Sequence, residues 1–355
     1  MAKRRCYWFV RLSSSAAFDR GNIRRTAAID LLEDARMLFG VLPVNKPTGV
    51  TSRKAVNAVV RAICDRKVKV GHTGTLDPLA SGVLLVVIGR ATRLVDESHL
   101  NSKRYSGSFL LGKRSDTLDV DGDVADVPSS HPVSHRDLKE AARQFVGTIT
   151  QSPPRYSAIH IDGQRAHDLA RRGKEFEMPT RTVAVHQLDV VSASDGEFRL
   201  DVECGTGTYI RTLGCDIAVA CGTSAVMSSL CRYEVGGISL EECVRLDQIQ
   251  SLDDVTNGLL SPLRLVPHLE QVSVSPETIE HIIHGRSFEL CSVASKVAVV
   301  DQRGELVALA ERVLGGANST NEQPDAQPYR SISVFRSNND MPHETKINRP
   351  QSAES

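Results

Sequence analysis

The chain has 355 residues, of which 41% are hydrophobic and 24% are charged, a mixture typical of globular proteins. Its formal net charge of +0 and its pI of about 7.2 exclude a uniformly basic nucleic-acid-binding protein. No apolar stretch approaches the roughly 20 residues that a membrane-spanning helix requires, so no membrane association is predicted.

The N-terminal region differs from the rest of the chain. Residues 1–36 lack a sustained apolar period and are predicted to form a poorly ordered extension, with ordered structure beginning near Met37. The start is basic, but Arg11 interrupts its apolar part too early for a signal peptide, and this predicts a cytoplasmic protein.

The eight cysteines contain no C-x-x-C pair, so zinc ligation and a disulfide framework are not expected. Several of them, namely Cys64, Cys204 and Cys231, lie in apolar stretches. The prediction is therefore buried free thiols.

The first regular elements surround a turn. A strand is predicted over residues 39–44, and the sequence K-P-T-G over 46–49 predicts the turn. A helix with a Thr or Ser cap follows over about 52–64, with an apolar stripe on one face and Arg53 on the polar face.

A short loop over residues 71–82, rich in Gly and Pro, carries a single carboxylate, that of Asp77. The apolar run 83–88 predicts a buried strand that anchors this loop. Pro78 restricts the backbone at its own position and at Asp77, which gives the loop a defined shape suited to a catalytic group. Asp before Pro is also common in turns, and the local residues leave a capping role open.

The charges are concentrated around this loop. Residues 45–115 contain 13 Lys or Arg and 4 Asp or Glu, an excess of nine positive charges. Such a block is either a solvated surface with charges on several faces or a contact surface for a polyanion. The position of the block on both sides of Asp77 favours a polyanionic substrate such as nucleic acid, for which phosphate contacts supply most non-specific affinity.

The run GHTGTLDPLASGVL over residues 71–84 closely resembles the active-site motif of the TruB family of tRNA pseudouridine synthases. The resemblance implies that Asp77 is the catalytic aspartate and that His72 contacts the T loop of tRNA. The Lys46-Pro47 turn is similar to the family's K-P-x-G motif, which implies a place beside the active site.

Two further segments are similar to family motifs. Residues 103–112 resemble the K-x-Y-x-x-x-x-L-G strand, which implies that Tyr105 stacks against the target base. Residues 115–123 look at first like a calcium loop, but Ser130 stands where that loop needs a bidentate Glu. The segment matches the family's T-D-T-x-D-x-x-G pattern instead, so no metal and no cofactor are predicted.

Periodicity between these motifs predicts a loop over residues 124–134, an amphipathic helix over 135–145, and strands over about 182–191 and 198–203. Residues 151–158, QSPPRYSA, resemble another family segment. Together with a basic helical stretch over 165–174, this implies the family's RNA-binding insertion over about 124–182. His160 and His167 depart from the Lys and the aromatic residue usual in the family.

The glycine-rich run CGTGTYIRTL over residues 204–213 leads into a helix but lacks the G-K-[ST] of a nucleotide-binding P-loop. It resembles the family's G-T-Y-I-R-T motif. The resemblance implies that Tyr209 and Arg211 belong to the active site and that Arg211 pairs with Asp77. A guanidinium opposite a carboxylate orients it and favours its charged form.

Leu230 and Arg232 then fit the L-x-R positions of a family segment, and this resemblance implies that Leu230 belongs to the active site. Cys231 stands where the family often has Arg, and this change removes a potential phosphate contact. The expected RNA-binding residues are all basic: Arg53, Arg155, Arg171, Arg172 and Arg232.

The pattern changes after about residue 262. A helix over 276–284 and strands over 297–301, 306–310 and 331–335 resemble a small PUA-like RNA-binding domain spanning 263–336. Polar composition predicts disorder within it over about 315–328 and in the tail over 337–355.

Taken together, these motifs imply an α+β protein. The pseudouridine synthase fold, a mixed, largely antiparallel central sheet flanked by helices, is expected over 37–262, followed by the PUA-like β-rich domain. The resemblance implies a bacterial, stand-alone monomer that flips uridine-55 out of the tRNA T arm. It then isomerises this uridine to pseudouridine by Asp-dependent glycosidic cleavage and rejoining at C5, without an obligatory protein partner.

Three other functions compete with this prediction. One is the archaeal and eukaryotic homologue that works in a guide-RNA particle, which the short C-terminal module disfavours. Another is an inactive tRNA-folding factor, which the presence of Asp77, Tyr105 and Arg211 disfavours. A nucleotide-dependent kinase lacks its phosphate-loop lysine.

Overall fold

The computed structural model describes residues 38–336, except for 66, 129–131, 195 and 314–325. The predicted extension 1–36 and the predicted tail 337–355 lie outside these residues. The predicted disorder over 315–328 extends too far, because Gln327 and Pro328 already belong to a strand. Pro328 pairs there with Glu289 of a neighbouring strand.

The described residues form nineteen strands, most of them in two sheets. In chain order they are β1 Gly40–Lys46, β2 Val70–His72, β3 Ser81–Ile88, β4 Lys103–Leu111, β5 Lys113–Arg114, β6 Ala125–Asp126, β7 Gly147–Gln151, β8 His160–Ile161, β9 Gln164–Arg165, β10 Arg181–Ser194, β11 Glu197–Cys204, β12 Ala225–Val235, β13 Ile238–Ser239, β14 Val244–Arg245, β15 Glu270–Ser273, β16 Phe288–Leu290, β17 Lys296–Val300, β18 Leu306–Arg312 and β19 Gln327–Val334.

Seven α-helices accompany the strands in the described part of the chain. They are α1 Ser52–Ile63, α2 Val95–Ser98, α3 His135–Arg143, α4 Ala166–Arg171, α5 Ile210–Ala220, α6 Leu252–Asn257 and α7 Pro276–Ile283. Short 3₁₀ segments lie at Gly89–Leu94, Leu240–Glu242, Leu246–Gln248 and Pro262–Leu265. No helix among the residues described here is both long enough and apolar enough to cross a bilayer.

The central sheet has the strand order β14-β1-β3-β12-β4-β11-β10-β7; in addition, β2 pairs with β3 and β13 pairs with β12. The β3–β12 and β1–β14 pairs are parallel, and the other pairs in the sheet are antiparallel. The prediction of a mixed, largely antiparallel sheet is therefore confirmed.

Strand β3 shows why its sequence is apolar without alternation. Leu84, Val86 and Ile88 pack into the core beneath α1, whereas Val83 and Leu85 on the opposite face join a second core. Since both faces of β3 are buried over residues 83–88, these positions exclude polar side chains. The strand is thus a rigid support for the loop that precedes it.

Helix α1 begins where its sequence predicts. The side chain of Thr51 caps it by accepting a hydrogen bond from the backbone N–H of Lys54. The helix ends at Cys64, whose φ of 57° is left-handed. The prediction of a buried Cys64 is wrong, because this residue terminates the helix on the exposed surface, whereas Cys204 is buried in the core. Cys231 is only partly buried.

The second sheet, β15-β17-β18-β19-β16, forms a separate C-terminal module, as the PUA-like prediction requires. It packs on the face of the central sheet opposite α1. Leu306 and Leu309 share a core there with Val83 and Leu85, and the rings of Phe39 and Phe335 stack at 5.5 Å. The two modules are therefore joined by a common apolar interface.

The segment over residues 124–182 has two parts. Helix α3 and strand β7 belong to the main body, since β7 is the edge strand of the central sheet and Leu138 of α3 is fully buried. The predicted loop over 124–134 contains the short strand β6, which pairs with β5. Residues 152–180, with the β8–β9 hairpin and α4, leave the sheet and return to it at β10.

Candidate active site

The loop that carries Asp77 is held from both sides. The buried Ser52 hydroxyl donates to the Leu76 carbonyl at 2.9 Å and accepts from the Leu76 N–H at 2.8 Å. The Leu76 side chain is buried in the core, and the Pro78 carbonyl accepts a hydrogen bond from Gly49 at 2.8 Å. These contacts fix the backbone on both sides of Asp77 and leave its side chain free to face outward.

The carboxylate of Asp77 forms an ion pair with Arg211, as expected. The distance between Asp77 Oδ2 and Arg211 Nη2 is 2.9 Å. The two side chains differ in exposure, at 37% for Asp77 and 5% for Arg211. The guanidinium is therefore part of the interior, and the carboxylate is presented to solvent at the end of a buried support.

A second carboxylate holds the same guanidinium. Asp119 Oδ2 lies 2.9 Å from Arg211 Nη1, and its side chain is only 6% exposed. Asp119 also accepts a hydrogen bond from the Thr117 hydroxyl at 2.6 Å. Sequence reasoning matched this segment to a family pattern but assigned Asp119 no role. The signal that could have identified Asp119 was its place as the second acidic residue of that pattern.

Two backbone carbonyls also accept hydrogen bonds from Arg211. Its Nη1 donates to Thr117 at 2.6 Å, and its Nη2 donates to Tyr156 at 3.1 Å. Four acceptors from three separate segments thus fix the plane of the guanidinium. Arg211 lies in the first turn of α5, where Gly214 allows close packing of the helix on the Phe109 ring of β4.

Tyr105 and Leu230 lie on the neighbouring strands β4 and β12. Leu230 of β12 is opposite Gly107 of β4, and its side chain is 8% exposed. Burial is the main cause that raises the pKa of Tyr105, and the positive charge of Arg232 opposes it. The Tyr105 hydroxyl therefore stays protonated at neutral pH and acts as an apolar ring with a polar edge.

Tyr209 immediately precedes α5 and is tied to the edge strand β7. The Gln151 side chain accepts from the Tyr209 N–H at 2.8 Å and donates to the Tyr209 carbonyl at 3.0 Å. Burial raises the pKa of Tyr209 as well. Gln151 is thus a second positioning contact, to which the sequence analysis assigned no role although this residue opens the QSPPRYSA segment.

Lys46 is the buried cation behind the loop, whereas Pro47 is exposed. Lys46 Nζ donates to the carbonyls of Pro47 at 3.0 Å and Val50 at 2.7 Å. Burial lowers the pKa of Lys46 to about 8, although the nearby Asp77 charge partly counters this. The ammonium stabilises the turn next to Asp77 without pairing directly to the carboxylate.

His72 lies on β2 at the edge of the loop. Its Nδ1 is buried without a hydrogen-bond partner among the described residues. Burial lowers the pKa of His72, with smaller contributions from the charges of Arg232 and Arg53. The imidazole is therefore neutral at pH 7.

The predicted RNA-binding residues separate into two groups. Arg53, Arg155, Arg171 and Arg172 are exposed, with Arg155 stacked at 4.7 Å over the Phe176 ring. Arg232, in contrast, is buried at 4% exposure. Its side chain lies beneath the loop that carries Asp77, in the protein interior.

Groups of three or more metal-ligating side chains do not occur within the described residues. The described groups that carry chemistry here are the partly exposed carboxylate of Asp77, the buried guanidinium of Arg211 and the phenols of Tyr105 and Tyr209, whose pKa values burial raises.

Comparison with known proteins identifies a matching family. The family model described as TruB family pseudouridylate synthase (N terminal domain) matches residues 61–210. Two solved structures share the fold. A Cbf5-Nop10-Gar1 complex gives a TM-score of 0.65 at 24% identity, covering 87% of this chain and 88% of that chain. An H/ACA RNP bound to a substrate RNA gives 0.64 at 23%, covering 86% and 87%.

Sequence relatives are more similar. The protein named tRNA pseudouridine synthase B from Rhodopirellula baltica is 42% identical over 235 residues, covering 65% of this chain and 67% of the relative. That from Moorella thermoacetica is 40% identical over 256 residues, covering 70% and 83%. That from Microcystis aeruginosa is 36% identical over 284 residues, covering 78% and 95%. Since these identities extend over two thirds or more of each relative, the chain belongs to the TruB family of pseudouridylate synthases.

Proposed function

We propose that the protein is a tRNA pseudouridine synthase that isomerises uridine-55 in the T loop of tRNA. The observation that carries the proposal is the Asp77–Arg211 pair at 2.9 Å, in which a buried guanidinium holds a partly exposed carboxylate. Its relatives named tRNA pseudouridine synthase B, at 36–42% identity, support the same activity.

The target uridine lies within a folded RNA loop, so the nucleotide has to leave its stack to meet Asp77. In the proposed complex His72 fills the space that the base vacates. The neutral imidazole suits this role, because it adds no charge beside the unstacked bases. Tyr105 stacks on the extruded uracil and Leu230 contacts it on the apolar side.

The reaction breaks the bond between ribose C1′ and uracil N1, rotates the base, and joins C1′ to C5. N1 gains a proton and C5 loses one, so no atoms are added and no cofactor is required. Asp77 promotes the cleavage either as a nucleophile at C1′ or as a base for a ribose proton. Both routes use the ionised carboxylate that Arg211 orients.

The exposed arginines form the proposed RNA surface. Arg53 lies on α1, and Arg155, Arg171 and Arg172 belong to residues 152–180, which leave the sheet. Guanidinium groups bind phosphates well, so these residues and the C-terminal PUA-like module contact the tRNA T arm. We propose a monomer that works in the cytoplasm without an obligatory protein partner. Its catalytic domain spans residues 37–262, and its C-terminal module spans residues 263–336.

A release assay tests the proposal. tRNA transcripts labelled with tritium at uridine C5 are incubated with the wild-type protein, because the C5 hydrogen leaves only when pseudouridine forms. Wild-type protein releases tritium, and Asp77→Ala reduces the rate to background. Asp189→Ala, which removes an exposed carboxylate on β10, keeps the wild-type rate.

The substrate position is tested with a transcript in which uridine-55 is replaced by cytidine, from which no tritium is released. No release from the normal transcript rejects the enzyme and would leave a tRNA-folding factor. Release that persists in Asp77→Ala rejects the assigned catalytic residue.

A further inference from the structure

Arg232 has an unexpected position for a basic residue next to an RNA site. It occupies the last position of the L-x-R pattern, for which a phosphate contact was expected. Its side chain is buried, and its guanidinium donates to backbone carbonyls within the protein. A buried guanidinium that is already engaged has no free face for a phosphate.

The two carbonyls lie at opposite ends of the loop that carries Asp77. Arg232 Nε donates to Val83 at 2.8 Å, and Nη2 donates to Gly74 at 3.1 Å. One planar group thus bridges two points nine residues apart, with Asp77 between them. A lysine ammonium lacks this forked geometry and cannot reproduce both directions from one position.

The backbone of Arg232 contacts the same loop. Gly82 has a φ of +106°, and a Cβ placed there would lie 2.1 Å from the Arg232 carbonyl oxygen. This contact is backbone on backbone, so a side chain at Gly82 would displace the loop from β12. Main chain and side chain of Arg232 therefore hold the same segment.

Tyr105 is the third group at this guanidinium. It is the cross-strand partner of Arg232, and its hydroxyl lies 3.5 Å from Arg232 Nη1, the outer limit of a hydrogen bond. The guanidinium carbon is 6.0 Å from the centroid of the Tyr105 ring. The Arg232 side chain consequently contacts both the Tyr105 ring and the loop that carries Asp77.

We infer that Arg232 is a positioning residue that holds the Asp77 loop and the Tyr105 ring in a fixed relation, and that it makes no phosphate contact. The inference rests on the proposed function for its effect on rate, but the structural part stands on the hydrogen bonds alone. A displacement of about 1 Å at a reacting group costs about 100-fold in rate.

The test compares Arg232→Lys and Arg232→Met with wild type in single-turnover tritium release at saturating tRNA. We expect a fall of about 100-fold for Met and an intermediate fall for Lys. The tRNA dissociation constant and its salt dependence stay at wild-type values. As the positive control for a phosphate contact, Arg53→Met lowers the slope of log K against log salt by about one.

Loss of folding is separated from loss of positioning by Val235→Ala. Val235 is buried on the same strand but belongs to the core opposite the loop. This variant loses stability and keeps the single-turnover rate. Amide hydrogen exchange of residues 73–83 gives a readout that needs no activity, and we expect faster exchange in Arg232→Met than in Val235→Ala.

A wild-type rate in Arg232→Lys and Arg232→Met would overturn the inference, and so would a salt slope that falls in both as it does in Arg53→Met. Unchanged exchange over residues 73–83 in Arg232→Met also rejects it. If the wild-type protein releases no tritium, the proposed function fails, and the exchange measurement still decides whether Arg232 holds the loop.

Discussion

The side chains at this site are of two kinds: those that face the substrate, and those that support the first kind from the interior. Asp77 is partly exposed, whereas Arg211 and Asp119 behind it are almost fully buried. A buried guanidinium with two carboxylates and two carbonyls has little freedom to move, so its outer partner is oriented before any substrate arrives. Exposure alone therefore distinguishes the presented carboxylate from the supporting one.

Asp216 is a titratable residue on α5 that the proposed mechanism does not use. Burial raises its pKa from 3.8 to about 6. Because the folded value lies above the unfolded one, the folded state binds more protons between about pH 4 and pH 6, and stability falls as pH rises through this range. The stabilising contribution is fully present below about pH 4 and is lost above about pH 6.

Asp216→Asn should remove this pH dependence, because the amide does not ionise. We expect the variant to be more stable than wild type at pH 7.5, with a smaller difference at pH 5. Urea unfolding followed by circular dichroism at both pH values measures this. A difference that is equal at the two pH values would contradict the raised pKa.

At the scale of elements, the Asp77 loop depends on a helix that comes earlier in the chain. Thr51 and Ser52 are adjacent, and either suits a helix cap. The structure assigns the cap to Thr51 and directs the Ser52 hydroxyl to both backbone groups of Leu76. Helix α1 therefore positions the loop, although no residue of the loop lies on it.

These neighbours offer a matched pair of substitutions. Ser52→Ala leaves the buried N–H and C=O of Leu76 without this partner, and we expect a loss of about 1–3 kcal/mol in unfolding free energy. We also expect a fall of about tenfold in the single-turnover rate, because the residue before Asp77 is released. Urea unfolding and tritium release measure the two effects.

Thr51→Ala is the control for this pair. It removes the cap of α1 and costs about 1 kcal/mol of stability. We expect no change in the single-turnover rate of the folded protein. If both variants lose rate in proportion to stability, the hydrogen bonds of Ser52 have no specific role in placing Asp77.

At the scale of the whole molecule, the central sheet separates two apolar cores. Helices α1, α3 and α5 cover one face, and the C-terminal module covers part of the other. Phe335 is 1% exposed in the second core and stacks on Phe39 at the start of the central sheet. Stability of the two modules should therefore be coupled through this interface.

Phe335→Ala tests the coupling. Removal of a buried aromatic ring costs about 3–5 kcal/mol. We expect faster amide exchange in β3 of the central sheet as well as in β18 of the C-terminal module, together with a lower urea midpoint. Ile332→Ala, at a side chain that is 40% exposed on β19 just before Phe335, should change neither. Faster exchange confined to β18 would show that the modules unfold independently.

Local pattern was sufficient for much of this organisation. The cap and apolar stripe of α1, the apolar run 83–88 of β3 and the Gly-Pro loop between them are properties of neighbouring residues, and each lies where the sequence predicts. The wrong predictions, a buried Cys64 and a structureless stretch that included Gln327 and Pro328, concern the surroundings of a residue, which neighbouring residues do not specify.

The sequence by itself determined the family, the carboxylate that is presented, and its arginine partner, because these residues lie in contiguous motifs with few alternative interpretations. Only the tertiary structure decided that Asp119 shares Arg211, 92 residues away, and that Arg232 reaches Gly74 across 158 residues. The physical reason is that burial and hydrogen-bond partners depend on which strands become neighbours. Side-chain type alone does not distinguish an arginine that binds phosphate from one that holds a loop.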